Sequence, residues 1–479
     1  CYLRRFLVLL TELLDEVEAE EFSVSKEVLT FFEGIHETLK RHSPMLDAEI
    51  RAEDRKAFMD EMGVLSEAYR ASIYSGFTGQ KDSLEKSELL AFIGIVLNFA
   101  DQSIALNRRV DGLFHSYNLI HFADDGYGLE QLYEMLEGQV AVLSSGYLNA
   151  PDSLALLDAL RNSKMYRTDQ NSYMLYPDRK LPLFLEKNVI AKDMVAGNPW
   201  IQNELKSGRR TFVEQDVNGW AHFNGSFRNG EELRASLAQD EDISAEDAEA
   251  LCDVYEATFR HRRFTGRSGS MYKYEGLGCI YWHMVSKLLL ASAEVILSAS
   301  RSGIEDTTLN HLFAHFDEIK EGLGVHKTPA QYGAFPTDPY SHTPGFTGVQ
   351  QPGMTGQVKE DVITRFCELG VQVKEGEISF APIMLKRDEF LSEPETWRYF
   401  VGGAAQSVQL EADSLAFTLC AVPVIYRLAK EFAIQVFADD GGPEVIAGNH
   451  LGQAWSRSLF QREKRVQKIV VEISADKLR

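Results

Sequence analysis

The chain has 479 residues, 44% of them hydrophobic and 25% charged, with a formal net charge of -22. That length exceeds what one hydrophobic core usually serves, so more than one domain is expected. The acidity argues against nucleic acid or an anionic membrane as partner, since both recruit basic patches. The five cysteines, Cys1, Cys252, Cys279, Cys367 and Cys420, are scattered without a Cys-x-x-Cys pair. This spacing supports neither a zinc site nor a disulfide framework, and it fits a reducing, cytoplasmic compartment. No uninterrupted apolar run reaches the roughly 18–20 residues of a membrane span.

In chain order, helices are predicted near 2–20, 24–42, 53–75 and 83–108, the last starting at Ser83 as N-cap with Glu85 and Glu88 in its first turns. The first begins within its own apolar pattern at Cys1, so further N-terminal domains of the same protein are expected. The pattern then breaks at 107–118, a loop carrying Asp111, His115, Tyr117 and Asn118. Helices follow near 128–145 and 151–163, then a second polar break with Asp169, Gln170, Asn171 and Tyr173. A hairpin turning at Asn218-Gly219 is expected within 211–224, and helices near 230–239 and 244–260. A third loop, 263–270, leads into a long helix over 275–301, and another helix covers 304–320.

Residues 324–359 hold five prolines and a scatter of glycines among His326, Gln331, Tyr332, Asp338, Tyr340, His342, Gln350 and Gln351. Neither helix nor strand periodicity survives there, and loops of this length in compact domains usually carry binding or catalytic surfaces. A helix over 354–369 closes the α-helical part. Beyond Gly370 the reading changes to short strands at 371–373, 378–380, 415–419, 434–437 and 469–473. We therefore expect a mainly α chain: an α-helical domain over 1–370 and a small β-rich domain over 371–479. Helix pairs separated by polar, aromatic loops suit an (α/α) toroid, and equally a simple bundle or a solenoid.

Enzymes that process sugars need aromatic platforms, amide and imidazole hydrogen-bonders, and carboxylates at the scissile bond. The loops supply these types. The candidate acids are Asp338, Glu275 and Asp111; the candidate substrate binders are His115, Tyr117, Asn118, Asp169, Gln170, Tyr173, Trp282, His283, Tyr340, His342, Gln350 and Gln351. On a helix starting at Glu275, Trp282 and Ser286 fall within about 20° of it and His283 about 80° away, at roughly 100° per residue. Each has a plainer reading, because loop aspartates brace turns and Trp and His are often core residues. The stripe at Glu134 and Glu137 reads as solvated surface. Arg267, Ser268 and Ser270, in a Gly-rich stretch before a helix, have the composition of an anion cradle, with inorganic phosphate as the co-substrate it would hold. No metal-ligand or dinucleotide motif is present, and no other cofactor is expected.

With its stretches 111–118 and 274–278 and the loop around Asp338, the chain resembles the α/α-toroid carbohydrate-active enzymes, cellobiose-phosphorylase-like proteins in particular. The resemblance is architectural, and no signature motif aligns, so it assigns no catalytic residue. The N-terminal β-sandwich frequent in such enzymes has no counterpart here. The resemblance implies hydrolysis or phosphorolysis of a glycosidic bond in an oligosaccharide or polysaccharide. A non-catalytic glycan-binding or scaffolding module is the alternative, as is a polysaccharide lyase using Tyr117, His115 or Tyr340 as base.

Overall fold

The computed structural model describes residues 1–177, 182–240, 242–260, 280–323, 342–343, 357–401, 403–438 and 442–479, with backbone alone at 342, 343 and 357. The chain divides into two compact units, Cys1–Pro177 with Gly278–Arg479, and Asp178–Leu277. The change from helix to strand at 370 lies inside the first unit.

The first unit opens with α1 (Tyr2–Glu16), β1 (Glu21–Ser25), α2 (Lys26–His42), α3 (Ala52–Tyr74), β2 (Lys81–Glu85) and α4 (Lys86–Leu106). All four expected helices form. Ser83 is not the cap of α4, however. It lies in β2, directly opposite Ser23 of β1, and its hydroxyl donates to Glu21 at 2.6 Å. The five-residue ladder with β1 satisfies the backbone there, so the helix is delayed to Lys86. Leu7 and Leu14 of α1 pack on Ile93 of α4. By length and composition α4 is long and apolar enough to cross a membrane, as is the helix Trp282–Arg301, but most of the latter is buried in the protein core.

Next come the hairpin β3 (Asn118–Phe122) and β4 (Tyr127–Gln131), then α5 (Leu136–Leu143), α6 (Ala150–Arg161), and the two-residue strands β5 (Tyr166–Arg167) and β6 (Ser172–Tyr173). The helix expected over 128–145 thus forms only from Leu136, its first four residues belonging to β4. Tyr127 to Gln131 alternates in the strand manner, and only from Leu136 does burial become helical.

The second unit holds α7 (Phe184–Lys187), α8 (Lys192–Gly197), α9 (Pro199–Ser207), β7 (Val213–Gln215), β8 (Ala221–Phe223), α10 (Gly230–Leu237) and α11 (Ala245–Phe259). The hairpin turns where Asn218-Gly219 predicts. Gly219 takes φ 84°, and Asp216 Oδ1 accepts from the amides of Asn218 (2.9 Å) and Trp220 (2.8 Å). Ile201, Phe212, Val213, Phe223, Leu251 and Tyr255 form its core.

The first unit resumes with β9 (Ile280–Tyr281), α12 (Trp282–Arg301), α13 (Asp306–Glu321), β10 (His342–Thr343) and α14 (Gln357–Leu369). The helix expected from 275 starts at Trp282, because Ile280 and Tyr281 instead pair antiparallel with Thr343 and His342. Trp282, Val285, Leu288, Leu289 and Ile296 are buried against α5, α6 and α13 in one large core. Side-chain pairs give the helix directions. His283 meets Glu360 near the starts of α12 and α14, and Arg301 meets Gln372 beyond their ends, so the two run parallel. Asp158 meets His315 and Arg161 meets Glu318, so α6 and α13 are parallel too. Short connections make α5–α6 and α12–α13 antiparallel hairpins.

The C-terminal part contains β11 (Val371–Lys374), β12 (Glu377–Phe380), β13 (Glu395–Val401), β14 (Ala404–Leu410), β15 (Ser414–Leu419), β16 (Val422–Ala429), β17 (Ala433–Ala438), β18 (Glu444–Ala447), α15 (Gln453–Phe460) and β19 (Val466–Ser474). The largest sheet has the order β15-β16-β19-β17-β18, and β16 with β19 is its parallel pair. Ile378, Phe380, Tyr426, Ile434, Ile469 and Val471 fill a core separate from the helical one. Helix thus dominates up to Leu369 and small, largely antiparallel sheets follow.

Candidate active site

The starts of α5, α12 and α14 and the ends of α6 and α13 lie toward one end of the helical part, and the described segments 107–117 and 162–175 reach the same end. The 107–117 loop arrives at α5, where the His115 backbone bridges to Glu134 and Tyr117 Oη donates to Glu137 Oε2 at 3.0 Å. The 162–175 segment reaches the same end, since the Leu136 amide donates to Leu175 O at 3.0 Å. Gly322, at the end of α13, sits so close to the Asn171 carbonyl that a Cβ there would lie 2.2 Å from it.

At the start of α12, Tyr281 Oη lies 3.2 Å from His283 Nδ1, and His283 Nε2 lies 3.2 Å from Glu360 Oε2. Glu360 is 2% exposed. Burial by itself would raise its pKa, but Lys359 and His283 beside it bring it below the usual carboxylate value. Among the described residues neither His283 Nε2 nor Glu360 Oε2 makes a well-aligned hydrogen bond and the buried Thr364 hydroxyl has no partner, while the Ser286 hydroxyl reaches only toward Asp361. Three buried polar atoms of α12 and α14 therefore lack a satisfied partner, which is costly in a structural site and common where a ligand or water completes the set. Asp361, next in the chain and still exposed, behaves oppositely. Desolvation by its packed surroundings, helped by the Glu360 charge, raises its pKa against a pull from Ser286. Tyr2 joins the α5 and α14 ends: partial burial and then the charges of Glu137, Glu294 and Glu360 raise its phenol pKa, with Arg5 opposing.

Among the expected site residues, Asp111 is exposed in a turn. Arg109 donates to it through Nη2 at 2.8 Å and Nε at 3.0 Å, and the Leu113 amide adds a bond at 3.2 Å. The arginine holds the Asp111 pKa below the usual value, which suits a standing carboxylate more than a proton donor. His115 Nδ1 lies 2.8 Å from Leu132 O, and Asn118 opens β3 opposite Gln131. Asp169 is exposed and paired with Arg167 at 2.8 Å, and Gln170 is buried. Tyr173 is buried against Tyr166, and that burial raises its phenol pKa. Trp282 is fully buried in the core, so its ring offers no face to a sugar. His342 is placed by its backbone opposite Tyr281, next to the start of α12. Asp338, Glu275, Tyr340, Gln350, Gln351, Arg267, Ser268 and Ser270 lie outside the described residues.

Sequence reading passed over Glu360 and Asp361 and set Glu137 aside as surface. Glu360 and Thr364, four residues apart on one helical face, were the available signal. Among the described residues no three His, Cys, Asp or Glu side chains are grouped to hold a metal ion.

No curated protein matches the chain. Residues 181–262, within the second unit, match the family model described as GH149 phosphorylase insertion domain 2. Over that segment the chain is therefore related to carbohydrate-active phosphorylases.

Proposed function

We propose that the chain belongs to a glycoside phosphorylase, with the rim of α5, α12 and α14 as its active site. The observation that carries this reading is the match of residues 181–262 to a phosphorylase insertion domain. The parallel directions of α12 with α14 and of α6 with α13 support an (α/α) toroid.

In phosphorolysis a carboxylic acid gives its proton to the glycosidic oxygen as the C1–O bond breaks. A phosphate oxygen then forms the new bond to C1, and the products are a sugar 1-phosphate and a shortened sugar with a free hydroxyl. One proton donor suffices, because phosphate replaces activated water. Asp338 and Glu275 are the proposed acids; in the sequence they precede β10 and β9, the strand pair beside His283. Asp111, ionised by Arg109, would steady developing positive charge. Tyr117, His115 and His283 would bind sugar hydroxyls, and Arg267, Ser268 and Ser270 would hold phosphate.

The test is incubation with a panel of oligosaccharides, with and without inorganic phosphate. Cleavage that needs phosphate and yields a sugar 1-phosphate supports the reading. Binding without turnover would instead identify a glycan-binding module.

A further inference from the structure

Away from the rim, a cavity of about 670 Å³ opens in the first unit between the C-terminal ends of α5 and α12 and the first turn of α6. Its volume lies within the usual range for small-molecule sites. Arg4, Arg5 and Arg301 line it with a single acid, Glu294, which is a cationic lining in a chain of net charge -22. Arg5 is held by both oxygens of Glu294, at 2.9 and 2.7 Å, and Arg4 by Asp101 at 2.5 Å. Arg301 differs. It donates to the neutral Gln372 amide oxygen at 2.7 Å and makes no ion pair among the described residues.

Ser153 provides the second observation. It lines the cavity from the first turn of α6, is 1% exposed, and its hydroxyl has no hydrogen-bond partner. The α6 N-terminus alone would mean little, since Asn149 already caps it through the Asp152 amide. The buried hydroxyl and the exposed Arg301 guanidinium line the same cavity, and among the described residues the first has no acceptor and the second no carboxylate. Leu148, Leu297 and Val8 supply an apolar wall.

We propose that this cavity binds a small phosphate monoester, the phosphate on Arg301 and Ser153 and the organic body against the apolar wall. The site is separate from the catalytic rim and does not depend on the activity assigned to it.

Calorimetric titration with glucose 1-phosphate, inorganic phosphate and glucose tests the assignment on wild-type protein, Arg301→Gln and Ser153→Ala. Arg301→Gln should weaken glucose 1-phosphate binding tenfold or more, and Ser153→Ala by roughly fivefold, as expected for a charged and a neutral hydrogen bond. A merely structural Ser153 predicts unchanged ligand affinity, because removing an unsatisfied buried hydroxyl leaves stability unchanged or improved and cannot affect a ligand elsewhere. Binding that neither substitution weakens overturns the proposal, as does glucose binding as tightly as its phosphate. If Ser153→Ala does not fold, Arg301→Gln decides alone. Loss of binding in the variants while no protein shows phosphorolysis would count against the catalytic reading and for the cavity.

Discussion

His283 Nε2 on α12 lies 3.2 Å from Glu360 Oε2 on α14, across the contact between the two helices. This pair aligns the two parallel helices at the proposed active-site rim. Removing the histidine leaves a buried carboxylate supported by Lys359 alone, at 3.1 Å. His283→Ala is expected to lower stability by about 1–3 kcal/mol, somewhat less than the usual cost of breaking a buried pair because the lysine remains. Adding Glu360→Gln should recover part of that loss. Chemical denaturation of the two single variants and the double variant checks it, and strictly additive effects would show that the two groups are not coupled.

Asp111 and Arg109 give a pH dependence with a definite sign. The folded-state pKa of Asp111 is depressed, so its pairing contributes stability above the unfolded value near 3.9 and loses it as pH falls through the folded one. Because Asp111 is exposed, the contribution is at most about 1 kcal/mol. Arg109→Gln should therefore lower the denaturation midpoint at pH 6, by an amount that shrinks progressively as pH falls below the unfolded value of about 3.9. A difference that does not shrink with falling pH contradicts this.

Cys367, half-buried beside Glu294 and Glu368, has its thiol pushed up to about 11, chiefly by burial. At pH 8 roughly one molecule in a thousand carries the thiolate, against about one in four for an ordinary cysteine. Its alkylation by iodoacetamide, followed by peptide mass analysis, should accelerate about tenfold per pH unit up to pH 10. A plateau near pH 9 would contradict the assigned environment.

In the second unit, Glu204 is 4% exposed and paired with Arg209 at 2.8 Å, which also reaches Asp240 at 2.9 Å. Arg209→Ala strands a buried charge and should destabilise this unit by about 2–4 kcal/mol. Limited proteolysis should then cut within 182–260 sooner than in wild type. Unchanged cleavage would mean that Glu204 is relieved in some other way.

The sequence made the long helices legible because an apolar stripe at helical spacing has few other uses, as Leu288, Leu289 and Val295 of α12 illustrate. The hairpin at Asn218-Gly219 was legible because few residues accept the positive φ that its turn requires. Short strands paired over a distance were not. Nothing local in Lys81–Glu85 announces a partner at Glu21–Ser25, and Ser83 imitates a helix cap. Glu360 was not legible either, because it sits inside a helix and gains its character from Lys359 beside it and His283 on α12. Trp282 illustrates the converse, since its chemistry suits a sugar platform while its position in the core does not.

The most direct test of the central claim is the phosphate dependence of cleavage. Purified protein, supplied with the oligosaccharide panel and 10 mM-scale (about tenfold above a typical ~1 mM KM) inorganic phosphate, should release a sugar 1-phosphate, and omitting phosphate should abolish turnover. Asp338→Asn or Glu275→Gln should stop the reaction in folded protein. Turnover that is equal without phosphate, or full activity in both variants, would contradict the account.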